Sequence, residues 1–441
     1  MNGLVKVSLW GTTIGYLGYE PGQKRIASFE FDRDFIRSNI QISPAVMKYP
    51  PVVHRFDTIS MRTFKGLPGI FADSLPDSWG NKLIDMYFAQ KGIPSADITS
   101  LDRLLYVGKR GMGAYEYEPA KEFDKKDKNL IQIDIGTLSE LVSLVLERDE
   151  SRRKELLTAQ TMSDALRLIK TGSSAGGARS KALVVLDDTG KVFDGTISGS
   201  ERIDIKSLWI LKFDTEGNKD RDRFDPAGMT RVEYCYSLIA KNCGITVPEV
   251  RYLSDGKSFH FLIERFDRKI EEGKIKKIHF NSWAALAHAD RDQTGSHSYE
   301  QLVLLARTLG LGENEVQEIF KRAVFNILGR NQDDHTKNFA FIMERDGSWK
   351  LSPAFDLTWS YDPEGRWTRS HQIRLNGKQD EFTRDDLAVF GKYCNLTEKK
   401  VLKIIGEVKD AFLSFPALCR EFEVPRELEK RIIETQRLGI I

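Results

Sequence analysis

The sequence contains few cysteines, and their positions exclude two classes of stabilising site. Only four occur in 441 residues, at Cys235, Cys243, Cys394 and Cys419. They form no C-x-x-C pair and have no histidine at zinc-finger spacing, so neither a structural zinc site nor a disulfide framework is expected. Such cysteine usage is typical of a protein of the reducing cytosol.

A large excess of charge of one sign is also missing. The 66 Lys and Arg residues are almost balanced by 64 Asp and Glu residues, which leaves a formal net charge of +2. This balance excludes a global field that would attract nucleic acid or an anionic membrane. No apolar run has the length of a membrane-spanning helix, and glycine and proline interrupt residues 1–22 where a signal peptide needs a continuous apolar stretch. We therefore expect a cytoplasmic protein that does not bind membranes.

The length of the chain predicts two or three packed units, because single domains usually contain ~100–200 residues. Short strands and turns are predicted for residues 3–30, and helices with one apolar face follow, with a break at LPDSWGN between Ile70 and Phe88. The charged run KEFDKKDK at 121–128 indicates a solvated connector. A strand-rich α+β segment begins near Thr171, and helical patterns dominate beyond residue 280.

Lys212 interrupts the otherwise apolar strand pattern SLWILKF. Burial of an ammonium in such a strand is costly unless an anion meets it, so a partner is expected. A strand-end lysine that extends to solvent is an equally good interpretation. Glu233, about one turn into the next predicted helix, could supply the carboxylate that directs this lysine towards a phosphate, although a surface glutamate is the simpler alternative.

A cluster of ionisable side chains follows the apolar helix predicted at 316–328. Its members are Asp333, Asp334, His335, Lys337 and Asn338. An acid followed five positions later by an asparagine is the spacing at which protein kinases place the catalytic base and a metal-binding amide. Asp356, at the end of a predicted hairpin that begins at Asn338, could bring a second acid to the same Mg²⁺. A charged loop that only caps the helix is the alternative.

Two glycine-rich segments are candidate phosphate loops. SSAGGARSK at 173–181 places small hydroxyls, glycines and a lysine between a predicted helix and a strand, so its backbone N–H groups could approach phosphate oxygens closely. It is not a Walker A sequence. GKRGMG at 108–113 lacks the strand and helix context that a dinucleotide or P-loop motif requires, and we interpret it as a tight turn.

In order along the chain, the segments SSAGGARSK, WILKF, VEYCY, IERFDR, DDHTKNF and FDL resemble the motifs of the HipA family, the kinase toxins of bacterial toxin–antitoxin pairs. LPDSWGN and GKRGMGA are similar to that family's N-terminal subdomain, so the resemblance covers nearly the whole chain. It implies an α+β, two-lobed protein-kinase-like fold with a mixed α/β N-terminal half and a mainly helical C-terminal lobe. The implied units are an N-terminal subdomain at 1–125, a kinase N-lobe at 126–270 and a helical C-lobe at 271–441.

The resemblance also implies roles for individual residues. Lys212 matches the lysine that binds ATP phosphates, and Glu264 and Phe266 match the hinge that holds adenine through backbone groups. Asp267 is expected beside the ribose. The loop residues implied in nucleotide binding are Ser174, Gly176, Gly177 and Lys181.

The implied catalytic loop contains the base and its neighbours. Asp333 matches the catalytic base, His335 and Lys337 complete the loop, and Asn338 and Asp356 match the magnesium ligands. Asp334 departs from the pattern, because the best-known member has glycine there. Ser174 matches the serine that the family autophosphorylates, and Ser173 is its neighbour and rival.

The family further implies ATP and Mg²⁺ as cofactors and a helix-turn-helix antitoxin similar to HipB as a partner, through which alone DNA would be contacted. The implied reaction is the transfer of the ATP γ-phosphate to a protein, for example an aminoacyl-tRNA synthetase. Two alternatives stay open. One is a catalytically silent kinase-like repressor or scaffold subunit, and the other is a small-molecule phosphotransferase.

Overall fold

The alternation of apolar and polar residues near the start of the chain produces an antiparallel sheet with one buried face. The computed structural model describes residues 4–23, 25–119, 132–146, 179–187, 189–195, 205, 207–214, 219–220, 223–224, 226–254, 256 and 258–440. The first sheet contains β1 (Leu4–Leu9), β2 (Thr12–Tyr19), β3 (Ala27–Phe31), β4 (Val53–His54) and β5 (Tyr115–Glu118), in the spatial order β4-β3-β2-β1-β5.

Short helices join the strands of this N-terminal sheet. They are α1 (Arg33–Arg37), α2 (Met61–Phe64), α3 (Gly69–Ala72), α4 (Ser78–Gln90) and α5 (Ser100–Val107), with a 3₁₀ turn at Ser95–Asp97. The predicted break at LPDSWGN is confirmed, because α3 ends before it and α4 begins within it, with the Asp77 side chain accepting a hydrogen bond from the Gly80 N–H at 2.7 Å.

A second antiparallel sheet forms the lobe that carries the lysine strand. Its strands are β6 (Lys181–Leu186), β7 (Val192–Asp194), β8 (Ser207–Lys212), β11 (Val250–Ser254) and β12 (Phe259–Glu264), in the order β11-β12-β8-β6-β7. Two-stranded pairs are formed by β9 (Lys219–Asp220) with β10 (Arg223–Phe224) and by β13 (Arg268–Glu271) with β14 (Lys274–Lys277). Among the described residues of this region, the helices are α6 (Ile135–Leu146) and α7 (Met229–Asn242).

The C-terminal lobe is mainly helical, as predicted. Its helices are α8 (Trp283–Ala287), α9 (Tyr299–Thr308), α10 (Glu313–Leu328), α11 (Arg384–Tyr393), α12 (Glu398–Phe412), α13 (Phe415–Glu421) and α14 (Arg426–Thr435), followed by a 3₁₀ turn at Leu438–Ile440. A small sheet joins β15 (His279–Ser282), β16 (Ala340–Met343) and β17 (Trp349–Leu351). Ser298 and Gln301 form a capping box at the start of α9.

Two apolar cores connect the N-terminal unit to both lobes. The larger core joins residues of the N-terminal sheet, such as Val7 and Phe29, with C-lobe helices that contribute Phe320 and Ile405. The smaller core packs Trp79 of α4 against the second sheet. The N-terminal unit therefore shares buried apolar surface with both lobes. This packing fixes the segment between α3 and α4 at the junction of the two lobes. No helix within the described ranges is both long and apolar enough to cross a membrane.

Candidate functional site

Lys212 lies at the end of β8, where it is buried and meets two carboxylates. Its Nζ donates to Glu233 of α7, and it pairs with Asp356 Oδ1 at 2.5 Å. Burial by itself would lower the pKa of Lys212, but Asp356 and Glu233 together raise it above the usual lysine value. The alternative of a strand-end lysine that extends to solvent is thus wrong. The ammonium stays charged because carboxylates from two other segments contact it.

Asp356 follows the hairpin of β16 and β17 and turns back towards the second sheet. Its backbone adopts a left-handed conformation, with φ of 52°, which is uncommon for a residue with a side chain. Burial would raise the pKa of Asp356, but Lys212 and then Lys181 lower it. Two residues that are 144 positions apart in the sequence are therefore in direct contact.

The loop that follows α10 is held at several points by its neighbours. Asp334 is almost fully buried and accepts hydrogen bonds from the Tyr299 hydroxyl at 2.9 Å and the Gln372 N–H at 2.8 Å, with His371 Nδ1 also 2.8 Å away. The Thr336 hydroxyl donates to the Ala289 carbonyl at 2.8 Å. Asp334, which interrupts the family pattern, is a buried acceptor that stiffens this loop.

The remaining members of the loop lie around Asp333. Asn338 Nδ2 donates to the Asp333 carbonyl at 2.8 Å, and His335 Nε2 lies 3.9 Å from Asp333 Oδ1. The Lys337 N–H donates to His335 Nδ1 at 3.3 Å. The predicted cluster is thus one compact loop with the Asp333 side chain partly exposed.

Two acids of the N-terminal unit also reach the site, and the sequence did not reveal either of them. Asp73, directly after α3, lies 3.6 Å from Lys337 Nζ, and Asp77 pairs with Lys181 Nζ at 2.8 Å. Lys181 is the direct cross-strand neighbour of Lys212. Burial raises the pKa of Asp77, and Lys181 opposes this shift. Lys181 is therefore held from the N-terminal unit, and its role in nucleotide binding stays a prediction.

The segment IERFDR connects the second sheet to the rest of the site. Glu264 ends β12, and the Phe266 ring stacks on that of Phe355 with 5.9 Å between the ring centroids, beside Asp356. Burial raises the pKa of Glu264. The hinge role of Glu264 and Phe266 stays a prediction.

Asp267, which the resemblance places beside a ribose, has two arginine partners in the structure. Its side chain is fully buried, pairs with Arg265 at 2.8 Å and with Arg268 at 2.6 Å, and accepts the Gly113 N–H at 2.8 Å. Burial would raise the pKa of Asp267, but the two guanidinium groups lower it to about 2. Through these contacts Asp267 fastens the turn at 108–113 to the start of β13, and its position beside a ribose stays a prediction.

The glycine-rich loop lies outside the described residues. This applies to Ser173, Ser174, Gly176 and Gly177, whose assigned roles stay predictions. Arg179, at the end of that loop, lies 3.7 Å from Glu233 Oε2 through its Nη1.

The residues present fit a hard divalent cation. Asn338 uses its amide nitrogen on the Asp333 carbonyl, which leaves the amide oxygen as its ligand atom, and Asp356 supplies a carboxylate that is 30% exposed. Mg²⁺ prefers such oxygen ligands and retains several waters, so two protein ligands are sufficient. Within the described part of the chain, no cluster of three or more His, Cys, Asp and Glu side chains could hold a metal ion.

Comparison with protein families gives two matches that together cover most of the chain. A model described as the HipA-like C-terminal domain matches residues 173–414, and one described as the HipA N-terminal domain matches residues 5–118. A candidate kinase of Sinorhizobium fredii, Y4dM, is 28% identical over 222 residues, which are 46% of this chain and 50% of that protein. A candidate kinase of Haemophilus influenzae is 26% identical over 207 residues, covering 40% of this chain and 59% of that protein. The chain thus spans little more than half the length of these curated relatives.

A solved structure with the same fold is the complex of HipA, HipB and operator DNA from a toxin–antitoxin system of Shewanella oneidensis MR-1. It superposes with a TM-score of 0.66 at 17% identity, over 95% of this chain and 90% of that one. This likeness confirms the two-lobed, kinase-like α+β fold.

Proposed function

Because the chain belongs to the HipA family, we propose that it is an ATP-dependent serine/threonine protein kinase and the toxin of a toxin–antitoxin pair. The observation that carries this proposal is the position of Lys212, which is buried and pairs with both Glu233 and Asp356. A kinase-like protein that has lost catalysis typically lacks the lysine, the base or a metal ligand. Here Lys212, Asp333, Asn338 and Asp356 are all retained.

Each retained group has a task that its surroundings support. Lys212 binds phosphate oxygens while Glu233 directs its ammonium. Asp333 accepts the proton of the attacking hydroxyl, and Lys337 stabilises charge on the transferred phosphoryl group. Asn338 and Asp356 would hold Mg²⁺, which neutralises phosphate charge when bound. The bond from the γ-phosphorus to the acceptor oxygen forms as its bond to the β–γ bridging oxygen breaks, so ADP leaves.

The hinge and the glycine-rich loop complete the nucleotide site in this proposal. Glu264 and Phe266 hold adenine through backbone groups, and the loop with Ser174, Gly176 and Gly177 covers the phosphates. Phosphorylation of Ser174, or of Ser173 as second choice, adds about −1.5 to −2 charge and displaces the loop from ATP by like-charge repulsion. Autophosphorylation would therefore switch the kinase off.

The partner in this proposal is a small helix-turn-helix antitoxin similar to HipB, through which the chain contacts operator DNA. The Shewanella structure, whose components are HipA, HipB and operator DNA, supports this extension. The acceptor is a protein, for example an aminoacyl-tRNA synthetase. Co-expression with the protein of the neighbouring reading frame and size-exclusion chromatography would test for the complex.

The central experiment is incubation of the purified chain with labelled ATP and Mg²⁺, with and without candidate acceptor proteins. Wild-type protein should label itself and an acceptor, and mass spectrometry should locate its own phosphate at Ser174. Lys212→Met should abolish labelling, since the phosphates lose their cation. Lys269→Met, which removes a lysine from β13 instead, is the matched control and should label normally.

Three other outcomes would change the assignment. Binding of the antitoxin without any phosphoryl transfer would favour the silent scaffold. Consumption of ATP only with small-molecule acceptors would favour the phosphotransferase alternative. Phosphate found only at distant residues such as Ser298 or Thr397, with unchanged ATP affinity, would remove the regulatory role of the glycine-rich loop.

A further inference from the structure

Asp73 belongs to the N-terminal unit but is bonded to the C-terminal lobe. Its Oδ2 accepts the Ser282 N–H at 2.6 Å and its Oδ1 accepts the Ser282 hydroxyl at 2.9 Å. The same Oδ1 lies 3.6 Å from Lys337 Nζ, and the Asp73 side chain is only 8% exposed. One carboxylate thus joins the end of α3, the start of α8 and the lysine of the catalytic loop.

We propose that Asp73 is a positioning residue through which the N-terminal unit holds Lys337 in the orientation required for phosphoryl transfer. The inference rests on the proposed kinase function and deepens it. In this arrangement the N-terminal unit completes the active site, in addition to packing against the two lobes.

The Asp73 carboxylate can hold Lys337 because its own position is fixed. Helices α3 and α8 approach so closely that a Cβ on Gly69 would lie 2.5 Å from the Ala285 carbonyl oxygen. The Asn281 amide donates to the Ile70 carbonyl at 3.0 Å, and the Gly69 N–H donates to His288 Nε2 at 3.0 Å. These bonds lock the two short helices together, so the carboxylate cannot move away from the lysine.

Lys337 needs such an anchor because its stem is long and other charges lie nearby. A lysine side chain has four rotatable bonds and a compact charge, so a single acceptor decides where the ammonium rests. Arg291 and Asp292 also act on it electrostatically. Asp292 is itself engaged by Arg62 at 3.3 Å and by Arg291 at 3.7 Å. Among the residues that the structure describes, Asp73 is the carboxylate within ion-pair distance of Lys337.

The test is a double-mutant cycle on phosphoryl transfer. Asp73→Asn preserves size and an oxygen for Ser282 but removes the charge that holds Lys337. We expect kcat to fall about 10- to 100-fold with little change in KM for ATP, since misplacement of a catalytic group affects the transfer step. In a Lys337→Met background the same change should have less than about a twofold effect. If the fold-losses of kcat caused by the two substitutions multiply in the double variant, Asp73 acts through general stability and the proposal is overturned.

A second measurement does not depend on catalysis. Wild-type protein and the Asp73→Asn variant are treated with an amine-reactive ester, and labelling of Lys337 is followed by mass spectrometry. Labelling should be several times faster in the variant because the ammonium has lost its ion pair, and an unchanged rate would overturn the proposal. A wild-type chain that transfers no phosphate would instead overturn the proposed function, while the labelling result would still decide whether Asp73 holds Lys337.

Two further variants guard against a folding artefact. Ser282→Ala removes one bond to Asp73 and should reduce kcat in the same direction but less. Asp386→Asn is the matched control. Asp386 is a buried acid near the start of α11 that accepts hydrogen bonds from Asn376, Lys378 and Thr383. The substitution should lower thermal stability without changing the kcat of the folded protein. An equal loss of kcat in the Asp386 variant would argue against a specific role for Asp73.

Discussion

At the scale of the residue, the site depends on charges that are buried together with their partners. Lys212 lies within a sheet, yet carboxylates from α7 and from the segment after β17 meet it there. Removing one member of such a group leaves the others uncompensated, so single substitutions should have large effects on nucleotide binding or on transfer.

Asp333→Asn tests the assignment of the catalytic base. The substitution keeps the size of the side chain but removes the acceptor for the hydroxyl proton, so kcat should fall by at least about a hundredfold while ATP still binds. Phosphoryl-transfer assays would measure the fall in kcat, and isothermal titration with a non-hydrolysable ATP analogue would measure the retained binding. Near-wild-type transfer, in a preparation free of contaminating kinase, would remove Asp333 from this role.

Asp356→Ala should give the opposite pattern. The change removes a proposed Mg²⁺ ligand and also releases Lys212 to pair with Glu233 alone, so nucleotide affinity should decrease, and it should decrease more with Mg²⁺ present than without it. Titration of the ATP analogue at several Mg²⁺ concentrations measures this difference. If the loss of affinity is equal with and without Mg²⁺, Asp356 acts only through Lys212.

At the scale of the element, the turn at 108–113 and the start of β13 are joined by one buried acid and two arginines. Arg268 donates to the Gly111 carbonyl at 2.7 Å and to the Gly113 carbonyl at 2.9 Å, and Asp267 balances the charge. The arginines of the motif IERFDR therefore tie the N-terminal unit to the start of β13.

Asp267→Asn should destabilise this junction. It leaves two buried guanidinium groups without their anion, and the free energy of unfolding should fall by ~3–5 kcal/mol. Urea denaturation measures the loss, and KM for ATP, determined well below the unfolding temperature, should be nearly unchanged. An increase in KM with unaltered stability would favour the position of Asp267 beside the ribose.

At the scale of the whole molecule, His279 marks the contact between the N-terminal sheet and the C-terminal lobe. Its ring is fully buried among those of Trp10, Tyr115 and Trp349. Burial lowers the pKa of His279 from 6.5 to about 3. The folded protein therefore requires the neutral imidazole. Low pH should weaken the contact between the N-terminal sheet and the C-terminal lobe, because it favours protonation of His279.

The sign of the resulting pH dependence follows from linkage. Above pH 6.5 neither state binds the proton, whereas below it only the unfolded chain does, so stability falls as the pH decreases from about 6.5 towards 3. At pH 5 this single group should contribute a loss of about 2 kcal/mol relative to pH 7.5. Chemical denaturation at the two pH values would measure it.

His279→Phe should remove that part of the pH dependence while keeping an aromatic ring in place. The difference in unfolding free energy between pH 7.5 and pH 5 should shrink by about 2 kcal/mol in the variant. His288, whose pKa burial lowers to about 4, accounts for part of the remaining sensitivity. An identical difference in wild type and variant would show that His279 is not the group responsible.

Several local features of this protein follow from the amino-acid sequence alone. The apolar stripe of α10, the capping box of α9 and the break between α3 and α4 follow from periodicity and caps within a few residues. The loop from Asp333 to Asn338 was also visible, because its ionisable residues are close together in the chain. Resemblance to known motifs extended these features to a family and a fold.

Which charged residues from distant parts of the sequence contact each other depends on tertiary packing. Asp77 and Lys181 are 104 positions apart, Asp73 and Ser282 are 209 apart, and no periodic pattern relates such pairs. Asp267 illustrates the same limit, since its motif suggested nucleotide contact while packing placed it between two arginines. A carboxylate has the same sequence signature whether it binds a ligand, a lysine or a helix end. Which of these it meets depends on how the N-terminal unit packs against both lobes, and that is fixed by burial of apolar surface from the whole chain.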